Sequence, residues 1–230
     1  MEYSAAYRVQ CDHAEEVLAA RHTGDPEIGR ILTVEHDPVI TVSSRASARA
    51  NLLATPERLA ALGVAIAPTD RGGDITYHGP GQLVVYPILD LNRLNLGLHD
   101  YMRLLEAAVI DVCARLGIDA ARDPTATGVW VGAHAPRAKV CAMGVRIRRW
   151  VSMHGLALNV GPDLDHFALI VPCGLAGRAV TSMEQELAAA GRPCPSMGDV
   201  TRLVVGSLGR RIRDAAQDAG RAAPTRASTP

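Results

Sequence analysis

The chain has 230 residues, 48% of them apolar, with 24 basic and 24 acidic side chains and no net charge at pH 7. That suffices for one domain with a sizeable core, and the balanced charge, free of basic runs, gives no nucleic-acid footprint. No apolar stretch approaches a membrane span and the N-terminus lacks a signal-peptide pattern, so a cytoplasmic monomer is expected.

Taken in order, Asp12 with Glu15 predicts a capping box opening a short helix over residues 12–20, with His13 and Glu16 on its wet face. Residues 30–35 and 39–42 read as a strand pair, and residues 43–50 as a mobile, exposed connection. Thr55 as N-cap, Pro56 and Gly63 bracket a helix through residue 62, followed by a strand at 64–67. Residues 70–82 then read Asp-Arg-Gly-Gly-Asp-Ile-Thr-Tyr-His-Gly-Pro-Gly-Gln. So many glycines around a proline, a basic residue and a histidine describe a ligand cradle rather than a simple turn.

The apolar run after it predicts a strand over 82–91, with Pro87 near an edge or bulge. Apolar residues at helical spacing give a helix over 100–116 with Cys113 in the core. Strands follow at 128–132, 140–148 and 151–160, the last two forming a hairpin across Arg149-Trp150. Strict alternation in the middle strand puts Val140, Ala142, Gly144 and Arg146 on one face and Cys141, Met143, Val145 and Ile147 on the other. A helical turn at 163–168 precedes a tight turn at 171–174 that presents Cys173. Thr181 with Glu184 caps a helix through 190, and Ser196 or Asp199 opens a last helix ending near 214. Residues 1–214 thus read as one domain, and 215–230 as a disordered tail.

Of the 24 basic residues only Lys139 is a lysine. An amine can lose its proton where a guanidinium cannot, although an arginine-biased chain can also retain one lysine by chance. The cysteines Cys11, Cys113, Cys141, Cys173 and Cys194 are odd in number and contain no Cys-x-x-Cys pair, against both a disulfide framework and a zinc knuckle. Cys173 alone sits in a Pro-Cys-Gly turn, a setting that suits a nucleophile as well as a plain turn residue. An ammonium beside it would stabilise the thiolate, and the same group deprotonated would serve as a base. The histidines lack paired metal spacing, and no metal or cofactor is expected.

Residues 71–82, Lys139 with Ala142-Met143-Gly144, His154-Gly155-Leu156-Ala157-Leu158-Asn159 and Pro172-Cys173-Gly174 together resemble, in order, the lipoyl(octanoyl) transferase family, also known as lipoate biosynthesis protein B. The resemblance runs from Glu35 to about Glu186. It implies a single-domain α+β fold of the biotin/lipoate protein ligase catalytic type, with a mixed central sheet and flanking helices. It also implies a two-step transfer. Cys173 takes an octanoyl group from octanoyl acyl carrier protein while Lys139 lowers its pKa, and a lysine of a 2-oxoacid dehydrogenase E2 lipoyl domain or a glycine-cleavage H protein then receives it.

The acyl group is expected against Arg71, Gly72, Gly73, Asp74, Ile75, Thr76, Tyr77 and His78, with Ala142, Met143 and Gly144 and with Gly155, Leu156 and Ala157. His78 and His154 are candidates to orient it; His36 reads equally as a motif or a turn residue. Two departures from the family stand out: a short N-terminal part, which predicts a missing or replaced edge strand, and Val42-Ser43-Ser44-Arg45, which lacks an expected glycine. Three alternatives remain. An ATP-dependent ligase of the same fold would release pyrophosphate, a thioester hydrolase would pass the acyl group to water, and a non-catalytic carrier-binding module would tolerate loss of Cys173.

Overall fold

The computed structural model describes residues 1–23, 25–132, 137–171 and 178–222. In chain order its elements are α1 (Tyr3–Thr23), β1 (Gly29–Val34), β2 (Val39–Ser43), α2 (Ala46–Ala50), α3 (Pro56–Ala61), β3 (Ala65–Thr69), β4 (Ile75–His78), β5 (Gln82–Leu89) and α4 (Leu98–Arg115). There follow β6 (Ala120–Asp123), β7 (Ala126–Val131), β8 (Ala138–Arg148), β9 (Val151–Asn159), a 3-10 turn (Leu164–Leu169), α5 (Met183–Ala189) and α6 (Met197–Ala222).

Six strands in the order β1-β5-β9-β8-β7-β6 form the main sheet, with every neighbouring pair antiparallel. The mixed pairing expected of one central sheet lies instead in a smaller sheet, β3-β2-β4, where β2 runs parallel to β3 and antiparallel to β4. Central β5 shows why the apolar run after the cradle is continuous: both its faces are covered. Leu83, Val85 and Leu89 pack with Leu105, Val109, Val112, Val204 and Leu208 of α4 and α6, while Val84, Tyr86 and Ile88 meet Ala6, Ala14, Val17 and Leu18 of α1. A third cluster, including Ile40, Leu59, Ile75, Tyr77 and Phe167, fills the space behind the smaller sheet.

Several elements depart from expectation for local reasons. α1 starts at Tyr3 rather than Asp12, because the Glu2 carboxylate accepts from Ser4 N and Ala5 N, and no glycine or proline interrupts the chain before Gly24. β1 and β2 are not partners; they belong to different sheets, joined through buried His36, which bonds Met1 O and Tyr86. Residues 46–50 are helical and bury Ala48. The α5 cap is Ser182, which accepts from Gln185 N, one residue past Thr181. Ser196 opens α6, accepting from Asp199 N, and the helix continues beyond 214 to Ala222. β6, too short and polar for a strand pattern, pairs with β7. Pro87 lies in central β5, but where the β5–β9 ladder opens between the Val85–Leu156 and Asp90–Val151 pairs, so its missing N–H breaks nothing.

The β8–β9 hairpin turns on Arg149 and Trp150, whose φ values are 50° and 64°. A type I′ geometry imposes positive φ at both positions, and neither residue suits it. R149N together with W150G should therefore raise stability by about 1 kcal/mol, a rise of roughly 2–4 °C in Tm. An unchanged or lowered melting temperature would show that half-exposed Trp150 contributes more by packing than its turn geometry loses.

Candidate functional site

A slot opens where the smaller sheet leans over the α1-facing side of the main sheet. Its floor is Ala142, Gly144, Gly155, Ala157, Val84 and Tyr86; its other walls include Arg71, Gly73, Thr76, His78, Met143, His154, Leu156 and Tyr3, around a cavity of about 40 Å³ partly open to solvent. The floor is low because its residues are small, and two of them have no alternative. A Cβ on Gly144 would lie 2.6 Å from Gly72 O, because the 71–74 loop rests directly on β8 and Gly72 N donates to Val145 O. A Cβ on Gly155 would run into Val85 O of β5.

Lys139 reaches this region through an irregularity. Between Val129–Cys141 and Trp130–Lys139 the β7–β8 register shifts by one, leaving Val140 as a bulged residue. Val140 and Cys141 consequently both enter the main core instead of alternating. In an unbulged strand Lys139 would stand opposite Val131, inside that core; here it pairs with Trp130, and its Nζ lies 4.6 Å from the indole centroid. Arg178 stacks over the same ring at 3.8 Å and is held by Asp123 and Thr125. The lysine is 8% exposed and lies beside two cavities, one of about 20 Å³ and one, wider and more open to solvent, of about 390 Å³. One includes Thr76 and Ala142 of the slot; the other includes Gly73, Met143 and Gly144.

Cys173 lies outside the described residues. The described chain on either side is anchored: Val171 N donates to Asn51 O, and residues 179–181 pair with Lys139 through Lys139 N to Ala179 O and Thr181 N to Lys139 O. Cys113 and Cys141 are core thiols, pushed up by burial, to about 12 for Cys113. Cys11 and Cys194 are half-buried.

The polar residues of the slot are satisfied in a fixed sense. Asn159 Nδ2 donates to Thr181 O at 2.9 Å, so Asn159 Oδ1 accepts from Gln82 Nε2 at 2.9 Å, and Gln82 Oε1 accepts from His78 Nδ1 at 2.6 Å. The chain of bonds runs from the slot to the strand pairing with Lys139, and it leaves His78 Nε2 unprotonated. Burial drives the His78 pKa down to about 3 against the partial support of Gln82. Further along, Asp70 accepts from Tyr7 Oη at 2.6 Å and His154 Nε2 at 2.7 Å, and pairs with Arg146. Burial pushes the Asp70 carboxyl up, but these partners outweigh it and bring it below the usual range. Burial likewise lowers His154 and His36.

Of the residues expected around an acyl group, Arg71, Gly73, Thr76, His78, Ala142, Met143, Gly144, Gly155, Leu156 and Ala157 line the slot. Gly72 borders the neighbouring cavity. Three point elsewhere: Ile75 and Tyr77 pack into the third cluster, Tyr77 bonding His166, and Asp74 faces Ser47 and Arg45. Alternation along β4 forces this for Ile75 and Tyr77, since their neighbours Thr76 and His78 take the slot face. Tyr3, Val84 and Tyr86 were not singled out, because Tyr3 comes from the part of α1 that the expected helix omitted and the other two read as core strand.

A family model, the lipoyl protein ligase A/B catalytic domain, matches residues 7–208. A protein of Bacteroides thetaiotaomicron named octanoyltransferase is 48% identical over 186 residues, covering 80% of this chain and 82% of its own. Another octanoyltransferase, from Flavobacterium johnsoniae, is 49% identical over 163 residues and covers 70% of each chain. Among solved structures, a bipartite lipoate protein ligase from Thermoplasma acidophilum superposes with a TM-score of 0.64 at 15% identity, covering 93% of this chain and 86% of that one. Lipoate-protein ligase A bound with ATP gives 0.63 at 15% identity, covering 83% and 79%. At such identities these structures establish the fold.

The buried histidine makes stability depend on pH. An unfolded chain takes up a proton near pH 6.5 that folded His78, held at about 3, refuses; stability is complete above 6.5 and falls as pH drops towards 3. At about pH 5 this residue alone should remove about 2 kcal/mol, and urea melts of H78N should show a smaller loss between about pH 7.5 and pH 5 than wild type. An equal loss in both would assign the acid sensitivity to other groups.

Proposed function

The chain belongs to the lipoyl protein ligase A/B catalytic-domain family, and on that premise we propose that it is an octanoyltransferase. It moves an octanoyl group from octanoyl acyl carrier protein to a lysine of a lipoyl domain, on an E2 subunit or a glycine-cleavage H protein, in the cytoplasm and without a cofactor. The observation that carries this reading is a lysine held off the core by a bulge, beside a narrow slot floored by glycine and alanine. Relatives that share about half their residues with this chain and bear the name octanoyltransferase support it.

Cys173 supplies the nucleophile in this reading. Its thiolate attacks the thioester carbonyl, the C–S bond to the carrier breaks, the carrier's thiolate leaves with a proton from the Lys139 ammonium, and the acyl group stays on Cys173. The amine of the acceptor lysine then attacks the new thioester, forming the amide and returning the thiolate. Lys139 as ammonium stabilises the thiolate before acylation; as free amine it takes the proton from the incoming lysine. Support for the pairing comes from residues 179–181, bonded to the Lys139 backbone six residues after Cys173 in the chain. Thioester exchange is nearly isoenergetic and amide formation is downhill, so no ATP is needed.

The acyl tail lies in the slot between the 71–78 loop side and the Ala142–Gly144 and Gly155–Ala157 floor. Burying it contributes about 5 kcal/mol, at about 0.8 kcal/mol per CH₂.

Mixing the enzyme with octanoyl acyl carrier protein and an unmodified lipoyl domain should give octanoyl amide without ATP. K139A should slow it by about 10²–10⁴-fold, the usual contribution of a positioned acid or base. Free octanoate as the main product would indicate a hydrolase. Product that forms only from octanoate and ATP, with pyrophosphate released, would indicate a ligase.

A further inference from the structure

His154 departs from its strand. Along β9, Val151, Met153 and Ala157 face α1, so alternation should turn His154 towards α4. Its φ of 57° instead brings the ring to the slot side, stacked on Tyr7 at 5.7 Å and edge-on to Tyr86 at 6.2 Å. A left-handed conformation in mid-strand persists only where its surroundings over-determine it, and here they do. Gln10 Oε1 accepts the His154 backbone N–H at 2.8 Å, and Asp70 accepts from its Nε2 at 2.7 Å. Asp70 is in turn bound by Tyr7 and Arg146.

The position of this residue along the slot is informative. Lys139 shares a cavity of about 20 Å³ with Ala142 and Thr76, and a wider, more open one also runs from it past Gly144 and Val145; the reacting end is taken at the Ala142–Ala157 pair, the nearer to Lys139 along β8. Met143–Leu156, Gly144–Gly155 and then Val145–His154 follow, placing His154 three pairs further on. At about 3.3 Å per residue that is about 10 Å of strand. A zigzag alkyl chain of bonds near 1.52 Å advances about 1.25 Å per carbon, so about eight carbons fill the same length. Beyond the imidazole stand a carboxylate and a guanidinium, which a hydrocarbon can displace only by stripping them of partners.

We propose that His154, pinned by Asp70, is the stop that limits acyl length in the slot: a specificity-determining residue that admits medium chains and rejects longer ones. The proposal rests on the octanoyl-transfer reading for its substrate, but its geometry can be tested apart from turnover.

Wild type, H154G and H154N, the last two tolerant of positive φ, would be compared for transfer from carrier-bound hexanoyl, octanoyl, decanoyl and dodecanoyl groups. In wild type, kcat/KM for dodecanoyl should fall at least about tenfold below octanoyl, and H154G should reduce that gap at least about tenfold, with H154N intermediate. A dodecanoyl-to-octanoyl ratio unchanged in folded variants would overturn the proposal. Calorimetric binding of the free acids to wild type gives a readout independent of catalysis and of the variants' folding. Affinity should rise about fourfold per methylene to eight carbons and then fall; a continued rise to twelve would also overturn it. Wild type that transfers no acyl group yet shows this break in binding would refute the transferase reading and leave the stop intact.

Discussion

One extra residue in one strand determines on which side of the main sheet Lys139 stands. With Val140 bulged out of the β7–β8 ladder, Lys139 leaves the side of Val129 and Val131 and meets Trp130 instead. A lysine facing the main core would have to shed its charge or carry it unpaired among aliphatic side chains, at a cost of several kcal/mol. On the other side it lies over an indole, next to a slot and bonded through its backbone to residues 179–181. A single-residue slip in a strand of period two moves a side chain from one compartment of the molecule to the other.

The slot raises the opposite problem: its apolar floor is bordered by walls that carry polar groups. The structure meets it by satisfying those groups with one another. His78, Gln82, Asn159 and Thr181 form one directional chain, and Tyr7, Asp70, Arg146 and His154 form another. Fully satisfied, such networks rigidify a site rather than destabilise it. The low floor then follows from Ala142 and Ala157, and from two glycines that the close approach of the 71–74 loop and of β5 requires.

The motifs were legible because they are made of residues with few other uses. Gly-rich residues 71–81, the isolated Lys139 and the small residues at 142–144 and 155–157 stand out in the sequence, and most of them line the slot or border it. The α+β class was legible through the family resemblance and the single domain through length and composition, while caps and β-branched runs located elements such as α3, β5 and α4. What stayed hidden depends on register and on partners distant in the chain. Val140-Cys141-Ala142 reads as plain alternation, and nothing local announces a bulge. His154 acquires its position from a backbone angle stabilised by Gln10 and Asp70, both more than 80 residues away in sequence. Tyr3 was lost because Asp12 imitates a helix cap that α1 does not use.

The proposed mechanism requires that the acyl group pass through Cys173. Intact-protein mass spectrometry after brief mixing with octanoyl acyl carrier protein, with no acceptor present, tests it most directly. Wild type should gain one octanoyl group that alkaline hydroxylamine removes, and C173A should gain none. An adduct of equal yield on C173A, or octanoyl amide formed by C173A at the wild-type rate once a lipoyl domain is added, would contradict the account.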